Sequence, residues 1–338
     1  MKHPVLHLHA GLRKTGSTAI QNFLFDNDVD PRFHYLHTGM ANSSLVTGQA
    51  FRAIRADDPR FPRAEQSEAE IREKRIRARK SLSSALGSMT RPHAIFSAET
   101  VGILRAEELA SLRDFFAPSC QHIRIYLYLR PHKSRMESVF QERLKHHYTD
   151  LSESFPMNLK RIVGRFDDTF GPERITLSRF AREDFPNGSI INHFLQLLGI
   201  AQSLPDVGKD NSALSLRATQ LLFIYRKFFP NHDEADPARI EQLRELTGKP
   251  LRFHSELYAR LQTSQADDVQ WVEQRAGFSL KEDINADDST GIRSEQDLID
   301  IPQQSLEWLR NSQPGLLARL RFRSRKQEDI AKAVRRLA

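Results

Sequence analysis

A chain of 338 residues, 39% hydrophobic and 28% charged, has the size and composition of a soluble globular protein with one large core or two smaller ones. It contains no run of about 18 apolar residues, which excludes an α-helical membrane span. A single cysteine, Cys120, excludes an intrachain disulfide and fits a reducing, cytoplasmic setting. The net charge of +7 suits an anionic partner, whether nucleotide, acidic glycan, nucleic acid or membrane surface, and equally a well-solvated surface. Much of the excess lies in two stretches, Arg72 to Lys80 and the tail from Arg319 to Arg336.

Taken in order, Val5 to His9 reads as a short buried strand. Two histidines break the run and no small-residue cleavage site follows, so it is not expected to be a secretory leader. Gly11 to Thr18 forms a loop, and Ala19 to Phe25 a helix with Ile20, Phe23 and Leu24 on one stripe. Glu68 to Met89 is a long helix ended by Pro92, with Ala78, Leu82, Ala85, Leu86 and Met89 as its apolar face. His93 to Ser97 is a strand followed by Glu99, and Ala106 to Phe116 a helix. Ile123 to Leu129 is the clearest strand, rich in β-formers. It ends at Arg130-Pro131 and leads into a helix reaching about His147, with Met136, Val139, Phe140 and Leu144 facing a core. Leu159 to Phe170 (helix), Arg174 to Phe180 (strand) and Ile190 to Leu198 (helix, closed by Gly199) complete an alternating pattern. Strands alternating with helices argue for βαβ units and a parallel sheet.

After Pro205 the chain reads as helical and polar: Leu214 to Phe229, Pro237 to Thr247, Ser255 to Thr263 and Asp268 to Ala276. Residues 281 to 302 are polar and acidic and read as a linker or mobile lobe. The stretch from about Gln304 is helical and basic. No repeat of 20 to 50 residues is seen. The boundaries expected are 1–215 for an α/β core, 216–280 for a helical part of the same domain, and 281–338 for the linker and basic tail.

The chemistry concentrates where the first strand runs into G-L-R-K-T-G-S-T and a helix opens. Loop N–H groups and the positive helix end converge on one spot, which makes an anion site. Gly11 and Gly16 let the backbone approach a ligand. Lys14 can reach a phosphate, and Ser17 and Thr18 can cap the helix or bind phosphate oxygens. The lysine precedes the second glycine. In the Walker A order it follows directly. The residues alone give an anion-binding loop or a tight turn with a Ser/Thr cap.

The run G-L-R-K-T-G-S-T-A-I-Q after an N-terminal strand resembles the 5′-phosphosulfate loop of sulfotransferases that use 3′-phosphoadenosine 5′-phosphosulfate (PAPS), above all bacterial and carbohydrate members. Arg13 stands where many of them have proline. A second stretch, I-R-I-Y-L-Y-L-R-P-H-K-S-R-M-E-S, is similar to their 3′-phosphate motif, a strand ending in arginine with a helical serine eight residues on, here Arg130 and Ser138. Arginine grips phosphate through two parallel hydrogen bonds, and a hydroxyl adds a donor. The bland reading of Arg130 is a strand-end surface charge. Lys209-Asp210-Asn211-Ser212 looks like the segment that closes over the nucleotide in bacterial members, or is a helix cap at Ser212 or Ser215.

The resemblance implies a P-loop NTPase-like three-layer fold with a central parallel sheet flanked by helices and a helical C-terminal part. It implies a transferase moving the sulfuryl group of PAPS to a hydroxyl or amine, with 3′-phosphoadenosine 5′-phosphate (PAP) as product. Arg13, Lys14, Thr15, Gly16, Ser17, Thr18, Arg130 and Ser138 would hold the nucleotide. Lys14 would neutralise the leaving oxygen. Glu99, at the second strand end, is the favoured base, and a helix-start carboxylate or a salt-bridge partner for Arg13 its bland reading. His146 and His147 are further bases, or cations at a helix end. His9, Arg143, His146 and His147 are candidate contacts to a sugar or anionic acceptor, with His9 also readable as a core histidine. No metal-ligand spacing is seen. No nucleic acid and no transmembrane anchoring are expected. Two other readings stay open: an ATP-dependent kinase, which needs Mg²⁺ and a strand ending in aspartate, and a basic module for nucleic acid or membrane, for which Phe322 is the only aromatic in the tail.

Overall fold

The computed structural model describes residues 4–53, 67–151, 158–201, 213–231, 233–262, 266–313 and 326–338. The chain divides into two compact units. The first holds Met1–Arg130, Asn158–Val207 and Ala266–Leu280, and the second Pro131–Met157, Gly208–Gln265 and Lys281–Ala338. Among the described residues no helix is long and apolar enough to cross a membrane.

The first unit is an α/β layer structure. Its strands β1 (Val5–Ala10), β2 (Phe33–Tyr35), β3 (His93–Ala98), β4 (His122–Leu129) and β5 (Ile175–Arg179) form one sheet in the order β2-β3-β1-β4-β5. Every pairing is parallel. Helices α1 (Ser17–Asp26) and α7 (Ile190–Leu197) cover one face, while α4 (Ala106–Phe116) and α6 (Leu159–Phe170) cover the other. Helices α2 (Ser44–Phe51) and α3 (Glu68–Gly87) connect β2 to β3.

Strand alternation sorts the two faces. Leu6, Leu8, Phe96, Ile125 and Leu127 point to the α4 side, where Phe96 meets Phe116 with ring centroids 5.4 Å apart. The other face carries polar side chains instead, the aromatic His7, His9, Tyr126 and Tyr128 together with Ser97, against Ile20, Leu24, Phe194 and Leu195. Most of their polar atoms are matched to each other, while the buried His9 Nε2 has no hydrogen-bond partner among the described residues. His7 Nδ1 bonds the Tyr126 hydroxyl at 2.8 Å, His9 Nδ1 bonds Ser97 Oγ at 2.8 Å, and Tyr128 bonds His193 Nδ1 at 2.8 Å. Burial pushes His7 down to about 3 and His9 down to about 4, so both rings stay neutral.

From β1 the chain first goes out to the edge strand β2, returns to β3, then passes over β1 to β4 and β5. The connections on either side of β1 therefore run in opposite directions. In an open parallel sheet this reversal opens a crevice beyond the carboxyl ends of the central strands, where ligands bind.

Part of this unit comes from late in the chain. Helix α11 (Ala266–Ala276) packs on α6. Asp268 accepts the N–H groups of Leu159 and Lys160 at 2.8 and 2.7 Å, and Asn158 takes that of Arg161, so the first turn of α6 is capped. Arg275 closes a two-bond pair with Asp167 at 2.8 and 2.7 Å. The basic run in α3 is partly structural. Arg79 bonds the carbonyl of Ala50 and the hydroxyl of Ser111, and Arg75 bonds the carbonyl of Arg52.

The second unit is helical: α5 (His132–Lys145), α8 (Leu216–Phe228), α9 (Asp236–Arg244), α10 (Ser255–Leu261), α12 (Glu295–Ile299), α13 (Gln303–Asn311) and a last helix, Gln327–Arg335. Ser215 caps α8, accepting from the Ala218 N–H. Helix α8 is buried all round from Ala218 to Arg226 and is the axis of the core. Asp236 joins two buried guanidiniums, those of Arg226 at 2.9 Å and Arg239 at 2.5 Å. Each arginine caps a helix end. Arg226 donates to the carbonyls of Leu144 and Lys145, and Arg239 to that of Arg335.

The linker expected over residues 281 to 302 is not found. Ile292 and Leu298 are core residues, and α12 lies within the segment. Its acidic residues have fixed jobs: Asp287 meets the buried Lys133 at 2.7 Å, and Asp288 accepts the Ser255 N–H and hydroxyl at the start of α10. Low hydropathy there reflects capping and pairing, which a composition reading takes for solvation.

Candidate functional site

Residues 11 to 16 lie at the carboxyl end of β1, where the crevice is expected. The Gly11 N–H reaches the Ala98 carbonyl at 3.3 Å and carries the β1–β3 pairing one residue past the strand. Thr15 is buried, and its hydroxyl donates to the Leu12 carbonyl at 2.7 Å, which closes the loop. Lys14 (φ 66°) and Gly16 (φ 71°) are left-handed, and Thr15 between them is not. Alternation of this kind turns successive N–H groups toward one concavity. Gly16 is also held by its neighbours: an added Cβ would sit 2.9 Å from Ile190 Cδ1 and 3.2 Å from Phe180 Cε2.

Gly16 is the N-cap of α1 and has no side chain to offer. The cap expected from Ser17 or Thr18 is thus not made, because both are already helical residues. The first turn holds no acidic side chain, so the positive helix end is not offset from within α1. Ser17 Oγ is buried and has no hydrogen-bond partner among the described residues. It lies over Gly11, 2.4 Å from where a Cβ on that residue would sit. Arg13 and Thr18 are exposed, and Lys14 is half-buried.

Glu99 joins this loop. It follows β3 directly as the first residue of a short 3₁₀ turn, Glu99–Ile103, and its Cγ lies 3.0 Å from the same Cβ position on Gly11. The turn is fixed from α2: the N–H groups of Glu99 and Thr100 donate to Ser44 Oγ at 2.8 and 3.2 Å, and the Thr100 hydroxyl donates to the Ser44 carbonyl at 2.9 Å. Arg130, just past β4, also comes to the loop, with Nη1 2.9 Å from the Lys14 carbonyl and its guanidinium over the Phe180 ring at 5.3 Å. Three segments far apart in sequence thus meet: 11–18, Glu99 and Arg130.

His9 is elsewhere. It is fully buried beneath the loop, its ring 5.3 Å from Phe194 and 6.0 Å from Tyr128. The substrate contact considered for it gives way to its other reading, a core histidine, and Gln21 completes the arrangement by donating to Ser97 Oγ at 3.1 Å.

Ser138, Arg143, His146 and His147 belong to the second unit. Ser138 is half-buried on α5. Arg143 lies over the Tyr148 ring at 5.2 Å. His146 is exposed, its Nε2 3.5 Å from Glu142, and His147 is left-handed (φ 75°) with Nε2 3.6 Å from Asp236. Lys209 to Ser212 lie outside the described residues, as do residues 314 to 325 of the basic tail.

Ser44, Ile190 and Phe180 were not marked by the sequence. Ser44 gives no local signal, since it serves a turn 55 residues away. Phe180 and Ile190 read as ordinary apolar residues, and only the left-handed Gly16 reveals what they shape. No family model, no curated protein and no solved structure matches the chain.

Proposed function

We propose that this protein is a PAPS-dependent sulfotransferase built on a P-loop-like α/β unit. The observation that carries the reading is the meeting of Lys14, the partnerless Ser17 hydroxyl, Glu99 and Arg130 around one uncapped helix end. The loop suits an anion, and the resemblance of its residues and of the Arg130 strand to sulfotransferase motifs selects which anion.

In this reading the 5′-phosphosulfate lies against the N–H groups of residues 14 to 18. The acceptor oxygen attacks sulfur, the new S–O bond forms, and the bond from sulfur to the phosphate oxygen breaks in line with it. Negative charge then grows on the phosphate of departing PAP, where Lys14 and the helix end stabilise it. Glu99 takes the acceptor proton. The turn held by Ser44 fixes where that carboxylate starts.

Calorimetric titration with PAP, and with ADP and Mg-ATP as controls, tests the proposal. Selective binding of PAP is expected. Mg-ATP binding without preference for PAP would instead favour a kinase, and binding of no nucleotide would reject a nucleotide-dependent enzyme of either kind.

A further inference from the structure

We infer that Arg130 is a positioning residue for the loop itself, holding Lys14 in its left-handed turn, and therefore acts on every anion the loop takes as well as on a 3′-phosphate. The inference rests on the anion-binding reading of the loop. A non-glycine residue at positive φ persists only where its surroundings hold it. Here the hold is a charge-assisted hydrogen bond from Arg130 Nη1 to the Lys14 carbonyl, 2.9 Å long. A peptide is planar and trans, so fixing that carbonyl also fixes the direction of the Thr15 N–H on the opposite side.

The guanidinium is in turn supported. It lies over Phe180, whose own N–H donates to the Leu129 carbonyl at 2.8 Å, one residue before Arg130. The ring beneath the guanidinium is thus tied to the strand that launches it. The same ring packs close to Gly16. Arg130 and Phe180 flank Thr15, one bonded to the carbonyl of Lys14 and the other 3.2 Å from where a Cβ on Gly16 would sit. A guanidinium carries five N–H donors in a fixed fork, so a bond to Lys14 and a phosphate contact are compatible.

Two measurements on the full chain separate the roles: amide hydrogen exchange over Gly11 to Thr18 without ligand, and titration with PAP and with adenosine 5′-phosphate, which lacks the 3′-phosphate. Arg130→Met is expected to speed loop exchange at least about tenfold, the scale of one lost charge-assisted hydrogen bond. Exchange in β1 and β4 should not change, and both nucleotides should weaken, PAP by the larger factor. Phe180→Leu keeps the charge and removes the supporting ring. It should give a smaller change in the same direction, and it decides the matter if Arg130→Met does not fold. Unchanged loop exchange, with a loss confined to PAP, would overturn the inference and leave Arg130 as a reader of the 3′-phosphate only. If the wild-type protein binds neither nucleotide, the sulfotransferase reading falls, and the exchange result still decides what Arg130 does to the loop.

Discussion

Lys14 carries a backbone cost for its position. A left-handed conformation disfavours any residue with a Cβ by about 1–2 kcal/mol, and glycine escapes that penalty. Lys14→Gly should therefore be more stable than Lys14→Ala by about 1 kcal/mol. In the proposed mechanism both variants should lose turnover by about 10²–10³, as when one donor to a developing anion is removed. Urea unfolding and a sulfuryl-transfer assay check the two halves, and a Lys14→Gly enzyme that kept its rate would remove the ammonium from the mechanism. The sequence marked Lys14 by its chemistry and Glu99 by its place at a strand end. It did not reveal the left-handed turn, because G-L-R-K-T-G places no glycine there. The burial of His9 was legible only as one of two readings, since a histidine entering a loop looks the same whether it faces ligand or core.

Among the elements, those with strong apolar periodicity were legible, including α6, whose bounds agree with the pattern to the residue. Those made by capping were not. The Asp268 cap on α6 and the Asp288 cap on α10 join segments that share no local pattern. The buried Asp236 shows how much hangs on such polar residues. Its removal leaves the fully buried guanidinium of Arg226 with carbonyls alone and Arg239 with Asp233 as its remaining carboxylate, and a broken buried ion pair costs about 3–5 kcal/mol. Asp236→Ala should lower unfolding free energy by that amount in urea titration. A loss under about 1 kcal/mol would mean that the helix-end carbonyls suffice for Arg226, and Asp233 with a carbonyl for Arg239.

For the whole molecule, the parallel α/β sheet was legible from strand–helix alternation, while the polar aromatic face was not, because buried parallel strands ordinarily read as aliphatic. That face sets a pH dependence. His7 and His9 are neutral in the fold, with pKa values near 3 and near 4, against an ordinary 6.5. As pH falls through 6.5 the unfolded chain takes up protons that the folded one refuses. The stability these rings support is full above 6.5 and declines toward pH 4. The slope is about 1.4 kcal/mol per pH unit for each ring. Urea unfolding between pH 8 and 4.5 should show it, and His9→Gln should reduce the slope by one ring's share. A flat profile from pH 8 to 5 would mean that the rings are not held neutral.

The helix α11 that caps and clamps α6 belongs to the first unit but is delivered more than a hundred residues after it. During synthesis at about 5–20 residues per second, α6 leaves the ribosome several seconds before Asp268 and Arg275 exist. Its first-turn amides must wait for their acceptors, and the nascent sheet unit stays incomplete until α11 is made.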